Sequence, residues 1–191
     1  MLADGVIGLL LAAGAGRRMG RAKALVAGPD GVTFVERGIA VLRDGGCDPV
    51  VVVIGAEAEQ VRPLVAGADR VVEAEHWADG QSASLRAGLD GVADLDGYAV
   101  CLLLVDLPDV GADVVRRVRE AAGDGPGVLA RAAYDGVPGH PVVIGRDHVA
   151  DLLGTLAGDS GAKGYLAAHD VQLVECADLA TGRDVDRPQD L

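Results

Sequence analysis

Aromatic residues are scarce in this chain: five among 191. Half of the residues are apolar, so a core must be built from Val, Leu, Ile and Ala. Cysteine is nearly absent. Cys47, Cys101 and Cys176 are far apart, odd in number and without metal-ligand spacing, which excludes a disulfide framework or a zinc cluster and points to buried thiols of a cytoplasmic protein. No apolar run reaches the ~18 residues of a membrane span. The apolar run near the start has Asp4 ahead of it, and its arginines follow it, the reverse of a secretory signal. Positive charge is in deficit, with 17 Lys+Arg against 29 Asp+Glu and a net charge of −12. That balance argues against nucleic-acid or membrane-surface binding. An anionic substrate would need a local cationic site or a divalent metal. Lysine is scarcest of the cations: Lys23 and Lys163 stand against fifteen arginines.

What is present starts at residues 6–23, VIGLLLAAGAGRRMGRAK. The apolar run 6–13 reads as a buried strand. Gly14, Gly16 and Gly20 let the backbone turn and turn its N–H groups outward, making an anion-binding concavity. Arg17, Arg18, Arg21 and Lys23 place four of the 17 cationic side chains within seven residues. The loop therefore reads as a phosphate site. It is not a Walker loop, because Gly20 is followed by Arg21 and Ala22 where Lys and Ser/Thr are needed. It is a broken dinucleotide fingerprint, with Met19 in place of the third glycine and no acid closing the next strand, at Ile54-Gly55. This disfavours a nicotinamide-dependent oxidoreductase.

The length suits one domain over 1–191, long enough to bury about 70% of its unfolded surface. A capping box at Thr33 and Glu36 opens a helix over 33–43, stopped by Gly45. The run 49–54 is almost wholly β-branched and lacks alternation, which suggests a parallel strand covered on both faces. Further strands are expected over 70–73, 98–105, 127–133, 141–144 and 171–175. Helices are expected over 57–65, 82–92, 111–121, 147–153 and 160–168. Strands alternating with helices give an α/β layered fold.

Ligands of open α/β sheets sit beyond the carboxyl ends of strands, so the loops after strands carry the candidates. Asp106 ends the most apolar strand and suits Mg²⁺, which takes one or two carboxylates plus substrate phosphates. Asp109 stands at the expected N-cap of the next helix. Gly80 and Ser84 lie in a small-residue turn opening a helix, with Ser82 as its expected N-cap. His140-Pro141 is expected in a loop over 137–141. Asp159 and Lys163 lie in the turn Gly-Asp-Ser-Gly-Ala-Lys. Asp184 and Asp186 share a face if the final stretch is extended.

Residues 11–23 match L-A-A-G-x-G-x-R-M-G-x-x-K at every position and resemble the signature loop of the nucleoside-triphosphate transferases, most closely the MocA-type molybdenum cofactor cytidylyltransferases. L-V-D-L-P at 104–108, G-H-P-V at 139–142, G-D-x-G-A-K at 158–163 and D-V-D-R-P-Q-D-L at 184–191 resemble further segments of that family. Trp77, Gly80, Ser84 and Leu85 match another. Ala74, Arg187 and Gln189 depart from its usual Asn, Thr and Glu.

The resemblance implies a three-layer Rossmann-like fold with a mostly parallel, mixed sheet and helices on both faces. It implies nucleotidyl transfer from CTP to molybdopterin, because Ala13 stands where the related guanylyltransferases usually carry glycine. Leu11, Ala12, Ala13, Gly14, Gly16, Arg17, Arg18, Lys23, Gly80 and Ser84 would bind the nucleotide. Lys23, Arg18 and Asp106 would be catalytic, and Asp106 and Asp186 would hold Mg²⁺. His140, Pro141, Asp159 and Lys163 would meet the acceptor. A molybdenum hydroxylase or its chaperone would receive the product. The same fold also serves GTP, UTP, other phosphorylated acceptors and non-catalytic nucleotide-binding modules.

Overall fold

The first apolar run forms strand β1 (Val6–Ala12), buried at every position. The computed structural model describes residues 5–191; Asp4, the acid ahead of this run, lies outside the described residues. Because a strand alternates its side chains, β1 feeds two separate cores. Val6, Leu10 and Ala12 pack on one face of the sheet, with residues of α1 (Phe34–Asp44) and α4 (Ala112–Ala122). Ile7, Leu9 and Leu11 pack on the other, with residues of α3 (Gln81–Gly91), α5 (Arg146–Thr155) and α6 (Lys163–Ala167). Each fully buried leucine in these layers contributes about 1.5–3 kcal/mol.

Seven strands form one mixed sheet. With β2 (Val50–Ile54), β3 (Arg70–Glu73), β4 (Ala99–Leu104), β5 (Leu129–Tyr134), β6 (Val137–Gly145) and β7 (Gln172–Glu175), the order is β3-β2-β1-β4-β6-β5-β7. β1, β2, β3 and β4 are mutually parallel, β6 is antiparallel to β4 and β5, and β7 is parallel to β5. The expected three-layer α/β architecture is the one observed.

The capping box holds: the Thr33 side chain accepts from the Glu36 N–H, and the Glu36 carboxylate accepts from the Thr33 N–H. Other local expectations need correction. The stretch 57–65 is not one helix; α2 (Ala58–Val61) gives way to a 3₁₀ turn, Arg62–Val65, at Pro63, which lacks the donor to continue. The stretch 160–168 yields only the five residues of α6. The N-cap of α3 is Gly80, not Ser82; the buried Ser82 hydroxyl donates to the Ala157 carbonyl and accepts from the Gly161 N–H, tying α3 to the turn before α6. Asp109 does not cap α4, whose N-cap is Gly111; its carboxylate accepts from the Thr181 N–H and hydroxyl at 2.7 and 2.6 Å. Residues 137–141 are not a loop. They begin β6, joined to β5 by Asp135-Gly136, both at positive φ, the two-residue hairpin that Asp-Gly favours.

Candidate nucleotide site

The carboxyl ends of β1 and β4 open on one cavity of about 550 Å³. It is lined by residues 13–18, Lys23, Trp77, Gly80, Ser84, residues 104–106, Asp159 and Asp186, among others. Two anchors shape the loop after β1. Gly16, at φ +55°, accepts from the N–H groups of Met19 and Gly20, and a Cβ there would lie 2.1 Å from the Arg21 carbonyl oxygen, so only glycine fits. At the far end the Ala22 N–H donates to the Glu57 carboxylate at 2.9 Å. Among the described residues, the N–H groups of Gly14 to Arg18 make no hydrogen bond within the chain. A Cβ on Gly14 would meet nothing within 4 Å. The residues that carry these unpaired N–H groups, Arg17 and Arg18 among them, all line the one cavity, as an oligophosphate site requires.

Lys23 stands at the first position of the 3₁₀ turn Lys23–Leu25. Its ammonium donates to Asp106 Oδ2 at 2.8 Å and to Asp186 Oδ1 at 2.5 Å, and Arg18 pairs with Asp186 Oδ2 at 2.8 Å. Burial alone would lower the Lys23 pKa; the bonds to both carboxylates overcome this and raise it. The Lys23 bond, ahead of the opposing cost of burial, holds the Asp186 carboxyl below the usual range. Asp106 reaches the cavity because β4 ends just before it. Asp186 reaches it because the Val185 N–H donates to the Asp106 carbonyl at 2.9 Å and the Val185 side chain is buried. The final stretch is thereby laid against the loop after β4.

Carboxylate oxygens of Asp106, Asp184 and Asp186 all lie within 4.8 Å of one another. Asp106 Oδ1 is buried with no hydrogen-bond partner. An orphaned carboxylate oxygen among three acids is an oxygen donor set suited to a hard divalent cation. Asp184 was missed as a candidate ligand, although D-x-D places both acids on one side of an extended strand.

The structure brings together Leu11, Ala13, Gly14, Gly16, Arg17, Arg18, Lys23, Gly80, Ser84, Asp106 and Asp186 around this cavity. The Ala12 side chain lies elsewhere, buried in the core facing α1, because alternation turns it away from Leu11 and Ala13. Ala74 is likewise buried and offers the cavity no polar group. Gly80, at φ +115°, has no room for a Cβ against Asp159 Oδ1 at 2.4 Å.

A second cavity, of about 860 Å³, adjoins the first and shares Leu11, Gln81, Leu104 and Asp159 with it. His140 and Lys163 line it; Pro141 is buried in β6 and lines neither cavity. Burial, with Arg131 adding to it, lowers the His140 pKa to about 4. This imidazole is neutral at pH 7 and offers hydrogen bonds without charge.

Residues 8–173 match the family model of the MobA-like NTP transferase domain. Nicotine blue oxidoreductase of Paenarthrobacter nicotinovorans is 35% identical over 194 residues, covering 95% of this chain and 92% of that protein. Molybdenum cofactor guanylyltransferase of Rhodobacter capsulatus is 31% identical, covering 80% and 70%. Among solved structures, the Rv0371c homolog from Mycobacterium sp. strain JC1 is 30% identical with a TM-score of 0.80, covering 97% of this chain and 92% of that one. The Rv0371c protein of Mycobacterium tuberculosis in complex with manganese is 27% identical with a TM-score of 0.71, covering 91% and 89%. By sequence along most of its length and by fold, the chain belongs to the MobA-like NTP transferases, a nucleotidyltransferase family.

Proposed function

We propose that the chain transfers CMP from CTP to a molybdopterin-type phosphorylated acceptor, releasing pyrophosphate. The observation that carries this reading is Lys23, bonded to two carboxylates of a three-aspartate cluster beneath a loop of unpaired N–H groups. A phosphate oxygen of the acceptor attacks the α-phosphorus. The new O–P bond forms as the bridging bond to the β-phosphate breaks, and its electron pair leaves with pyrophosphate. Such chemistry needs positioning and charge stabilisation more than a protein base. The N–H groups of residues 14–18 with Arg17 and Arg18 bind the triphosphate oxygens. Lys23 places a compact point charge where negative charge develops. Asp106, Asp184 and Asp186 fit a divalent cation, which we take as Mg²⁺; when bound it would neutralise phosphate charge. The manganese complex of a relative supports a divalent ion here.

Preference for CTP is supported by Ala13, which stands at the first cavity where the related guanylyltransferases usually carry glycine. The second cavity, adjoining the first, suits the acceptor, with His140, Asp159 and Lys163 around it. One sheet running from β1 to β7 supports a single domain, and three unpaired, buried cysteines support a cytoplasmic setting.

A second reading has one specific observation behind it, the relative named as an oxidoreductase. Melting temperatures measured with CTP, GTP, ATP, UTP and NADH, each with and without Mg²⁺, separate the two. A ligand at 100 times its Kd stabilises by about 2.7 kcal/mol, roughly 5–10 °C for a domain of this size. A Mg²⁺-dependent shift largest with CTP, followed by pyrophosphate release when molybdopterin is added, is the expected outcome. A shift with NADH alone would discard nucleotidyl transfer.

A further inference from the structure

The second cavity contains a cation that the proposed reaction leaves unused. Directly paired residues point to the same side of a sheet, and one such row crosses this one: Val51, Leu9, Leu102, Val142, Arg131 and Leu173. The first four are buried in the core beneath α3. Arg131 interrupts an apolar row with a guanidinium, on a strand with a neighbour on each side. Its Nε–H donates to the Gly139 carbonyl at 3.0 Å, and among the described residues no carboxylate pairs with it. Arg37, Arg43, Arg70 and Arg117 have acidic partners, and Arg146, which has none among the described residues, instead donates to the carbonyls of Gly97, Val92 and Leu95. Burial alone pulls the Arg131 pKa down. A half-buried cation without a counter-ion is destabilising, and an apolar residue would continue the row.

We propose that Arg131 is a specificity residue for the acceptor: its guanidinium holds an anionic oxygen group of that molecule, a phosphate or a carboxylate, in the second cavity. The proposal rests on reading that cavity as the acceptor's. The two Nη groups remain after Nε is taken by Gly139, and together they grip two oxygens of one anion. Leu102 and Leu104 give the cavity an apolar wall, and the carboxylates of Asp159 and Asp170 also line it. His140, held neutral, adds a hydrogen bond without opposing an anion or replacing the charge of Arg131.

The test uses the Nε–H NMR signal of Arg131, which its bond to Gly139 shelters from exchange. Loss of the signal in Arg131→Met assigns it; Arg131→Lys serves equally should the methionine variant not fold. The full chain is titrated with phenyl phosphate, benzoate and benzyl alcohol. The Arg131 signal is expected to shift saturably with an anion and not with the alcohol, and the anion acting at lower concentration identifies the group. Calorimetry should show that Arg131→Met or Arg131→Lys weakens that anion by about tenfold or more, the weight of a charge-assisted hydrogen bond. The melting temperature of Arg131→Met should be unchanged or higher. A signal unmoved by both anions overturns the proposal, as does undiminished anion affinity in the variants. Absence of CTP turnover would sink cytidylyl transfer yet leave this readout standing, so the two failures are distinguishable.

Discussion

Replacing Lys23 by Met should weaken the unliganded protein, strengthen its hold on a divalent metal and abolish most turnover. The Lys23 side chain is only 14% exposed, and its partners Asp106 and Asp186 are 20% and 23% exposed. Methionine keeps the packed stem and removes two charge-assisted bonds, each worth about 1.5–3 kcal/mol. Water reaching the carboxylates returns part of this, leaving a net loss of about 2–4 kcal/mol, or roughly 5–15 °C in Tm. Lys23 titrates above 10.5, so its contribution is fully present below that value and fades as pH rises through the raised pKa. Asp186 titrates below 3.8, so its contribution is present above that value and is lost as pH falls through the lowered pKa. Between those limits the deficit should be flat. In the wild type a divalent ion shares both carboxylates with the ammonium and is repelled by it; without it, Mn²⁺ affinity should rise at least tenfold, since each factor of ten needs only about 1.4 kcal/mol. Bound Mn²⁺ should then recover much of the lost stability. Turnover should fall by about 10²–10³-fold, as for loss of a donor at a developing charge. The assays are differential scanning calorimetry, Mn²⁺ titration followed by electron paramagnetic resonance, and pyrophosphate release. Equal Tm and equal Mn²⁺ affinity in the two proteins would refute the weight given to these ion pairs, and unchanged turnover would remove Lys23 from the chemistry.

Gly16→Ala forces a Cβ against the Arg21 carbonyl at positive φ; the backbone cost is about 1–2 kcal/mol, and the CTP-dependent rise in melting temperature should disappear. Asp109→Ala removes two bonds to Thr181, costing no more than about 2–3 kcal/mol; calorimetry should register that loss, and Mn²⁺ affinity should fall several-fold as Asp184 and Asp186 lose their placement. The Glu175 carboxyl accepts N–H bonds from Gly136, Ala177, Asp135 and Cys176, which together hold its pKa below 4.5. Its contribution is therefore complete above 4.5 and lost as pH falls through the lowered value. Glu175→Gln should lower Tm at pH 7, and the gap from wild type should close in acid; a gap independent of pH would contradict this.

What could be read from the residues followed their physics. The strands of β1 and β2 were legible because continuous apolar runs have no stable place except a doubly covered sheet. The first turn of α1 was legible because Thr33 and Glu36 satisfy each other locally. The site's near half, residues 11–23 and Asp106, could be read for the same reason: turn, donors and carboxylate are close to the strand ends that position them. Asp109 was misplaced because Asp before a helix is a good cap in isolation, and its partner, Thr181, is 72 residues away in the chain. Residues 137–141 read as a loop because the hairpin signal, Asp135-Gly136 between apolar runs, lies just ahead of them and was not used. Arg131 falls inside the strand expected over 127–133, and nothing in the sequence singles it out. Only pairing with Val142 and Leu173 reveals that its neighbours across the sheet are apolar.

The stretch after β7 gives the molecule two separate failure points. Residues 177–191 add no strand to the sheet, and one buried side chain, Val185, with the bonds to Asp106, Asp109 and Lys23 and the ion pairs to Arg18 and Arg117, fastens them down. Segments with so few fastenings open locally at far less free energy than the sheet beneath them. Peeling this stretch away would carry off Asp184 and Asp186 while every β-ladder stayed intact. Heat inactivation should therefore precede the loss of circular dichroism, and amide exchange at 184–186 should be fast while β1 is still protected. Engineering for working lifetime then becomes a matter of riveting this strap, since further packing between the helices and the sheet would leave it as loose as before.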